Sequence, residues 1–184
     1  MERPHHSVRA EEEQSAGEYS VSSSASTVAA GGTATLTVTF SPTSAGTKSA
    51  TISISNNDSN EGTYSFNVTA NSFTASPEIN IQSNGNDILD GSTTYATTNN
   101  TEYGTTYIGV TVSKTFTIQN IGTSNLNISS YSITGTNASE FTITTPPSAT
   151  ITPGSSTIMV IRYNATTVGA NMNATINVIS NDSN

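Results

Sequence analysis

Between Ala34 and Phe40 the chain reads Ala-Thr-Leu-Thr-Val-Thr-Phe, apolar and polar in strict alternation. Successive side chains of a strand point to opposite sides, so Leu36, Val38 and Phe40 share one face and Thr35, Thr37 and Thr39 the other. The same period groups Ile52 with Ile54, Tyr64 with Phe66 and Val68, and Phe116 with Ile118. Turn chemistry bounds these runs: Gly31-Gly32, Asn84-Gly85, Asp90-Gly91, Ile121-Gly122 and Pro153-Gly154. No window carries a helical stripe between caps. Short strands between regular turn signals predict an antiparallel sandwich, and half-polar strands leave one face of each sheet in water. The run Thr157–Tyr163 departs from this by being apolar on both faces. Its Ile158 and Val160 should point outward, either as ordinary strand formers on an exposed face or as a contact patch for a neighbouring module.

The pattern also repeats. Residues 18–60 open on Glu18-Tyr19-Ser20-Val21 and close on Asn57-Asp58-Ser59-Asn60; residues 140–184 open on Glu140-Phe141-Thr142-Ile143 and close on Asn181-Asp182-Ser183-Asn184. Between them Leu36, Val38 and Phe40 face Met159, Ile161 and Tyr163, Gly46 faces Gly169, and Ala50-Thr51-Ile52 faces Ala174-Thr175-Ile176. A spacing of roughly 120 residues is that of a domain, not of a solenoid unit. The expected organisation is a tail at 1–16 that matches nothing in the repeat and is unstructured, the later part of a first copy at 17–73, a linker at 74–76, and a second copy at 77–184. The first copy continues past Asn60 into Tyr64–Ala70, a hairpin partner for Ile52–Ser55; the second reaches Asn184 before the equivalent segment. Both copies are therefore expected to be truncated, as in a window cut from a longer tandem array, with the second lacking its last strand and leaving an open edge. In its core we expect Phe116, Ile118, Met159, Ile161, Tyr163, Ile176 and Val178.

Tyr103-Gly104, Lys114–Thr123, Leu126-Asn127-Ile128, Phe141-Thr142-Ile143, Ile151–Gly154 and Ser180-Asn181-Asp182, in that order, resemble the choice-of-anchor D repeat of the Hydin-type (ASH-like) immunoglobulin-like domains. Pro77–Ile81 with Asn84-Gly85 and Asp90-Gly91 resembles the start of such a repeat. The resemblance implies tandem immunoglobulin-like antiparallel β-sandwiches, an all-β fold of seven strands per copy. It further implies a non-catalytic module of a large bacterial secreted or cell-surface protein. Eukaryotic relatives of the fold sit in cilia and at centrosomes, so a cytoplasmic ciliary scaffold is the alternative location.

Composition narrows the chemistry. Thr (33), Ser (29) and Asn (20) make up 82 of 184 residues, with no Cys and no Trp. A disulfide framework and a cysteine metal site are therefore excluded. The net charge is −8, and past residue 18 the only bases are Lys48, Lys114 and Arg162, too few and too scattered for phosphate contacts. No nucleic-acid partner is expected, and no run is long and apolar enough to enter a membrane. His5 and His6 lie in the opening segment, so no base stands ready for a nucleophile. The acids Asp58, Glu61, Glu78, Asp87, Asp90, Glu102, Glu140 and Asp182 lie mostly in predicted turns, where a carboxylate caps its own backbone. No catalytic residue and no cofactor are assigned. For a metal, the candidates are Asp87 and Asp90 in the oxygen-rich run Asn84–Gly91, although Ile88 and Leu89 interrupt the ligand spacing and two tight turns account for the same residues. Tyr95, Tyr103 and Tyr107 are the aromatic candidates for stacking on a glycan, or else for closing the end of the core with their hydroxyls in water. The function expected is a structural or adhesive spacer whose partners are neighbouring repeats, other surface proteins or glycans. An accessory carbohydrate or calcium module of a secreted hydrolase is the alternative.

Overall fold

The alternating runs are strands in the computed structural model of the protein, which describes residues 8–11, 16–169 and 172–183. Among the described residues the fold is all-β and antiparallel, with two short 3-10 turns beside the strands. It divides into two units, Met1–Thr74 and Ala75–Asn184.

In the first unit, β1 (Val8–Glu11), β4 (Gly46–Ser55) and β5 (Thr63–Ser72) form one sheet in the order β1-β4-β5. β2 (Tyr19–Ser23) and β3 (Leu36–Phe40) form a second, two-stranded sheet. The hairpin expected after Ile52 is present: Ile52 pairs with Phe66 and Ile54 with Tyr64. Directly opposed residues of an antiparallel pair share a face, so these aromatics lie on the side of Ile52, which is fully buried. Tyr64 is nevertheless 57% exposed and Phe66 38%. The two-stranded sheet is too narrow to cover them.

One expectation is corrected here. Val8–Glu11 is not unstructured; it pairs with β4, Ala10 opposite Ile52 and Val8 opposite Ile54. The remainder of the proposed tail, residues 1–7 and 12–15, lies outside the described residues. In the second unit Ile133 stands opposite Ile176 and Tyr131 opposite Val178. Since Ile176 and Val178 match Ile52 and Ile54, Val8–Glu11 takes the place in the repeat that residues near 131–134 take in the second copy. Arg9 and Glu11 mask the apolar period that would have shown it.

In the second unit, β6 (Ile79–Ser83), β7 (Asn86–Asp87), β8 (Thr111–Asn120), β10 (Phe141–Thr145) and β12 (Ser156–Asn164) form a sheet in the order β10-β12-β8-β6-β7. β9 (Leu126–Thr134), β11 (Thr150–Ile151) and β13 (Thr175–Ser180) form the facing layer in the order β11-β9-β13. The core between them is Phe116, Ile118, Leu126, Ile128, Ile151, Met159 and Ile161, with Ile79, Ile81, Ile133, Phe141, Ile176 and Val178 packed against it. Phe116, Ile118, Met159, Ile161 and Tyr163 are buried as the alternation predicts. Ile176 and Val178 share the inward face but are only half-buried, because β13 is the last strand of its sheet among the described residues.

A buried amide ties the upper corner of this unit. Asn120 is fully buried; its Nδ2 donates to the carbonyls of Ser124 (2.7 Å) and Ile151 (2.9 Å), and its Oδ1 accepts from the Gly122 N–H (3.1 Å). The amide thereby satisfies its donors and acceptor where water is absent. Gly122 lies so close to the incoming chain that a Cβ would collide with the backbone of Ser76, Pro77 and Glu78. That approach lets Ile121 N–H donate to Glu78 and Thr123 N–H to Ser76.

Candidate functional site

Sequence reasoning offers three places for chemistry: the Asn84–Gly91 run, the loop tyrosines, and the carboxylates. Asn84 and Gly85 have φ of 56° and 75°, the left-handed pair that a two-residue hairpin turn requires. They join β6 to β7. Asp87 lies in β7, with its Oδ1 accepting from Asn80 Nδ2 at 2.9 Å. Asp90 lies in the next turn, closed by Ser92 N–H donating to the Leu89 carbonyl. Ile88 turns inward against the core and Leu89 outward. Among the described residues no three His, Cys, Asp or Glu side chains converge as metal ligands would.

The tyrosines separate. Tyr95 and Tyr107 are exposed. Tyr103 packs edge-on to Phe141 and Tyr163, at centroid distances of 5.5 and 6.0 Å. Its hydroxyl is not in water, as a simple end-closing tyrosine's would be. It donates to the Ile161 carbonyl at 3.1 Å, and burial raises its pKa above the usual tyrosine value. Tyr103 therefore pins the segment before β8 to the middle of β12.

The carboxylates give the least expected result. Glu18 and Glu140 occupy equivalent places, each at the end of a 3-10 turn (Ala16–Glu18 and Ala138–Glu140) just before a strand, and each is buried. Glu18 Oε1 accepts from the N–H and hydroxyl of Thr43, at 2.6 and 2.7 Å. Its Oε2 meets Lys48 Nζ at 3.0 Å. The Thr43 backbone and hydroxyl, then Lys48, lower its pKa to about 2. Glu140 Oε1 accepts from the hydroxyls of Thr167 (2.7 Å) and Thr166 (2.8 Å). These two hydroxyls, chiefly that of Thr167, hold its pKa below the ordinary value against the opposing effect of burial. Its Oε2 has no hydrogen-bond partner among the described residues, and the Tyr163 hydroxyl is pushed upward by burial and by the neighbouring Glu140.

Next to each acid stands an aromatic pair. Tyr19 and Phe40 are 4.9 Å apart and tilted by 34°; Phe141 and Tyr163 repeat both values. The tyrosine has moved from the first strand to its partner, and its hydroxyl with it: Tyr19 donates to the Lys48 carbonyl, while Tyr163 turns to Glu140.

This corner clamps chain segments; it does not suit proton transfer. A general acid at neutral pH needs a raised pKa, and both carboxylates are shifted the other way. Each fastens the loop that follows the aromatic strand, Thr43 in one unit and Thr166-Thr167 in the other. Sequence reasoning placed most of the acids in turns, capping their own backbone, and missed this burial. The signal was present, because Glu18-Tyr19 and Glu140-Phe141 are landmarks of the repeat and a turn alone would not require the acid.

On the outer face of β12, Ile158 is exposed and Val160 half-buried. Their partners across β8 are Thr117 and Thr115. His5 and His6 lie outside the described residues.

Residues 97–184 match the family model of the HYDIN/CFA65/VesB-like, Ig-like domain. Residues 2–64 match that of the abnormal spindle-like microcephaly-associated, ASPM-SPD-2-Hydin (ASH) domain. The second match includes the segment of β1. A crystal structure of a protein of unknown function from Porphyromonas gingivalis W83 is 16% identical, with a TM-score of 0.38, over 98% of this chain and 80% of that one. No curated protein matches the chain. Both family matches support the Hydin-type immunoglobulin-like reading, one in each unit, and domains of this type are in general non-catalytic modules.

Proposed function

We propose that the chain is a spacer segment, of the choice-of-anchor D type, from a large bacterial secreted or cell-surface repeat protein. Its sandwiches hold other domains away from a surface, and its partners are neighbouring repeats and, at the array's far end, surface proteins or glycans. The observation that supports this most is the duplicated corner. Two units keep the same buried acid and the same tilted aromatic pair, and in both the polar groups serve hydrogen bonds within the fold. What the repeat preserves is architecture. The Thr/Ser/Asn outer faces of the strands suit a wet, acidic stalk.

The test is to graft one, two and four copies of this chain between a membrane anchor and a peptide-binding head on a bacterial surface. Capture of beads coated with a buried target peptide should rise with copy number. A capture independent of copy number sinks the spacer role. Thermal melting in rising calcium, and with soluble glycans, addresses the ligand-module alternative: a ligand that binds the native state must raise Tm, and an unchanged Tm is the result expected of a spacer.

A further inference from the structure

The two buried acids are held alike on one oxygen and differently on the other. In the first unit Glu18 Oε1 accepts from the N–H and hydroxyl of Thr43, and Oε2 meets the Lys48 ammonium at 3.0 Å. In the second unit Thr166 repeats both Thr43 bonds on Glu140 Oε1, its N–H at 3.4 Å and its hydroxyl at 2.8 Å. Thr167 adds a third to the same oxygen, at 2.7 Å. Glu140 Oε2 is buried and accepts from nothing among the described residues. The repeat sets Met172 where the first unit has Lys48, and Met172 packs against Gly169 of the same loop. A thioether brings neither a charge nor a donor. Lys114 and Arg162, the bases of the second unit, are not paired with the acid.

The corner therefore lacks one positive charge. An ion buried without a counter-charge is costly, and Glu140 is only 4% exposed. A proton does not relieve it at neutral pH, because the hydroxyls of Thr167 and Thr166 hold the pKa of Glu140 below the ordinary value. Acceptor capacity, by contrast, is in surplus. A hydroxyl has one hydrogen and two lone pairs, so Thr166 and Thr167 keep lone pairs after giving their hydrogens to Oε1. The Tyr163 hydroxyl is a further oxygen neighbouring the carboxylate. One carboxylate among neutral oxygens balances a single positive charge. Calcium takes about six to eight oxygens, and no three His, Cys, Asp or Glu side chains converge among the described residues. The first unit indicates the size, since an ammonium group is close to potassium in radius.

We propose that Glu140 Oε2 anchors a site for a potassium-sized monovalent cation, which takes the role that the Lys48 ammonium plays in the first unit. The hydroxyl oxygens of Thr166, Thr167 and Tyr163 are its neutral ligands. The ion cancels the buried charge and fastens the Thr166-Thr167 loop to the Phe141–Tyr163 pair. Both threonines are exposed, so the ion exchanges through this loop and not through the core.

The full chain is melted in tetramethylammonium chloride, whose cation is too large to seat on a buried oxygen, and again with potassium chloride replacing it at constant ionic strength. Tm of the second unit should rise by a few degrees in potassium, as when a ligand binds the native state alone. The carboxyl-carbon NMR signal of Glu140 should move saturably with potassium, while that of Glu18, which has its own ammonium, should stay in place. Glu140→Gln should lose the potassium response. Met172→Lys tests the same point without removing the acid: it should melt higher than the parent in tetramethylammonium and no longer respond to potassium. Equal Tm of the parent in the two salts overturns the proposal, since Oε2 is then served by water or by the Tyr163 hydroxyl. So does a potassium response that persists in Met172→Lys, or one that moves Glu18 as much as Glu140. A larger rise in calcium chloride than in potassium chloride at matched ionic strength overturns the assignment of a monovalent ion.

Discussion

Ile52 and Ile176 hold the same place in the same strand of the repeat, yet one is fully buried and the other only half-buried. The side chains are identical, and each strand carries a second inward isoleucine or valine two residues on. What differs, among the described residues, is the company: Ile52 sits in a strand flanked on both edges, Ile176 in a strand flanked on one. Burial in a sandwich is therefore a property of the neighbouring strands as much as of the apolar period. The opposite contrast holds in the facing layer. There the second unit presents Phe116 and Ile118 from a central strand, while the described residues of the first unit place β2 and β3 in that layer.

The strongest way to break this comparison is to truncate one aromatic in each unit. Phe116→Ala should cost about 3–5 kcal/mol and unfold the second unit at ordinary temperature. Phe66→Ala, acting on a ring already partly exposed, should cost no more than about 1.5 kcal/mol. Urea melts followed by resolved methyl signals of each unit would separate the two transitions, and equal losses would mean that Phe66 is packed as tightly as Phe116.

Gly122→Ala comes next. The new methyl group meets three backbone atoms of the segment Ser76, Pro77 and Glu78, and backbone cannot rotate out of the way, so a loss of about 1–3 kcal/mol is expected. Gly62→Ala in the first unit, where a Cβ would meet only ordinary contact, should lie within about 0.5 kcal/mol of the parent. Smaller still, Tyr103→Phe should cost about 0.5–1.5 kcal/mol for the bond to Ile161. Tyr95→Phe should cost nothing measurable in the same calorimetric scan.

The last prediction sharpens the contrast between the two buried acids. Matching Ala50 to Ala174 sets Lys48 against Met172. The carboxylate of Glu18 falls from 4.5 to about 2 on folding. Between those values the unfolded chain holds a proton that the folded chain does not. The stabilisation from Glu18 is thus whole above about pH 4.5 and disappears as the pH falls through 2. Lys48→Met copies the second unit. It should raise the Glu18 pKa but leave it below 4.5, because the Thr43 N–H and hydroxyl remain. A carboxyl-carbon NMR titration reads this directly, and an unmoved midpoint would mean that Lys48 does not act on the acid.

Much of this plan is legible in the residues, and the gaps have physical causes. Leu36-Thr37-Val38-Thr39-Phe40 declares a strand because each neighbour changes polarity. Val8-Arg9-Ala10-Glu11 does not, because a short run that sets one small residue and two charges beside a single valine lacks contrast. The core of the second unit follows from parity at Phe116, Met159 and Ile161. The half-burial of Ile176 and Val178 does not, since parity says which face a residue takes and nothing about what stands beyond the edge. The roles of Glu18 and Glu140 depend on threonines 25 to 27 residues away, a distance over which one sequence carries no local sign.

The hydrogen bond from Ile79 N–H to Asp182 Oδ2, 2.8 Å long, joins residues 103 apart. It fastens the first strand of the second unit to the turn after the last. A ribosome adding about 5–20 residues per second needs roughly 5–20 s to make both partners. Through that interval Ile79 and Ile81 have been synthesised without the residue that closes their end of the sandwich. The bond that ties down the Ile79 end of β6 is thus among the last that synthesis of residues 79–182 makes possible.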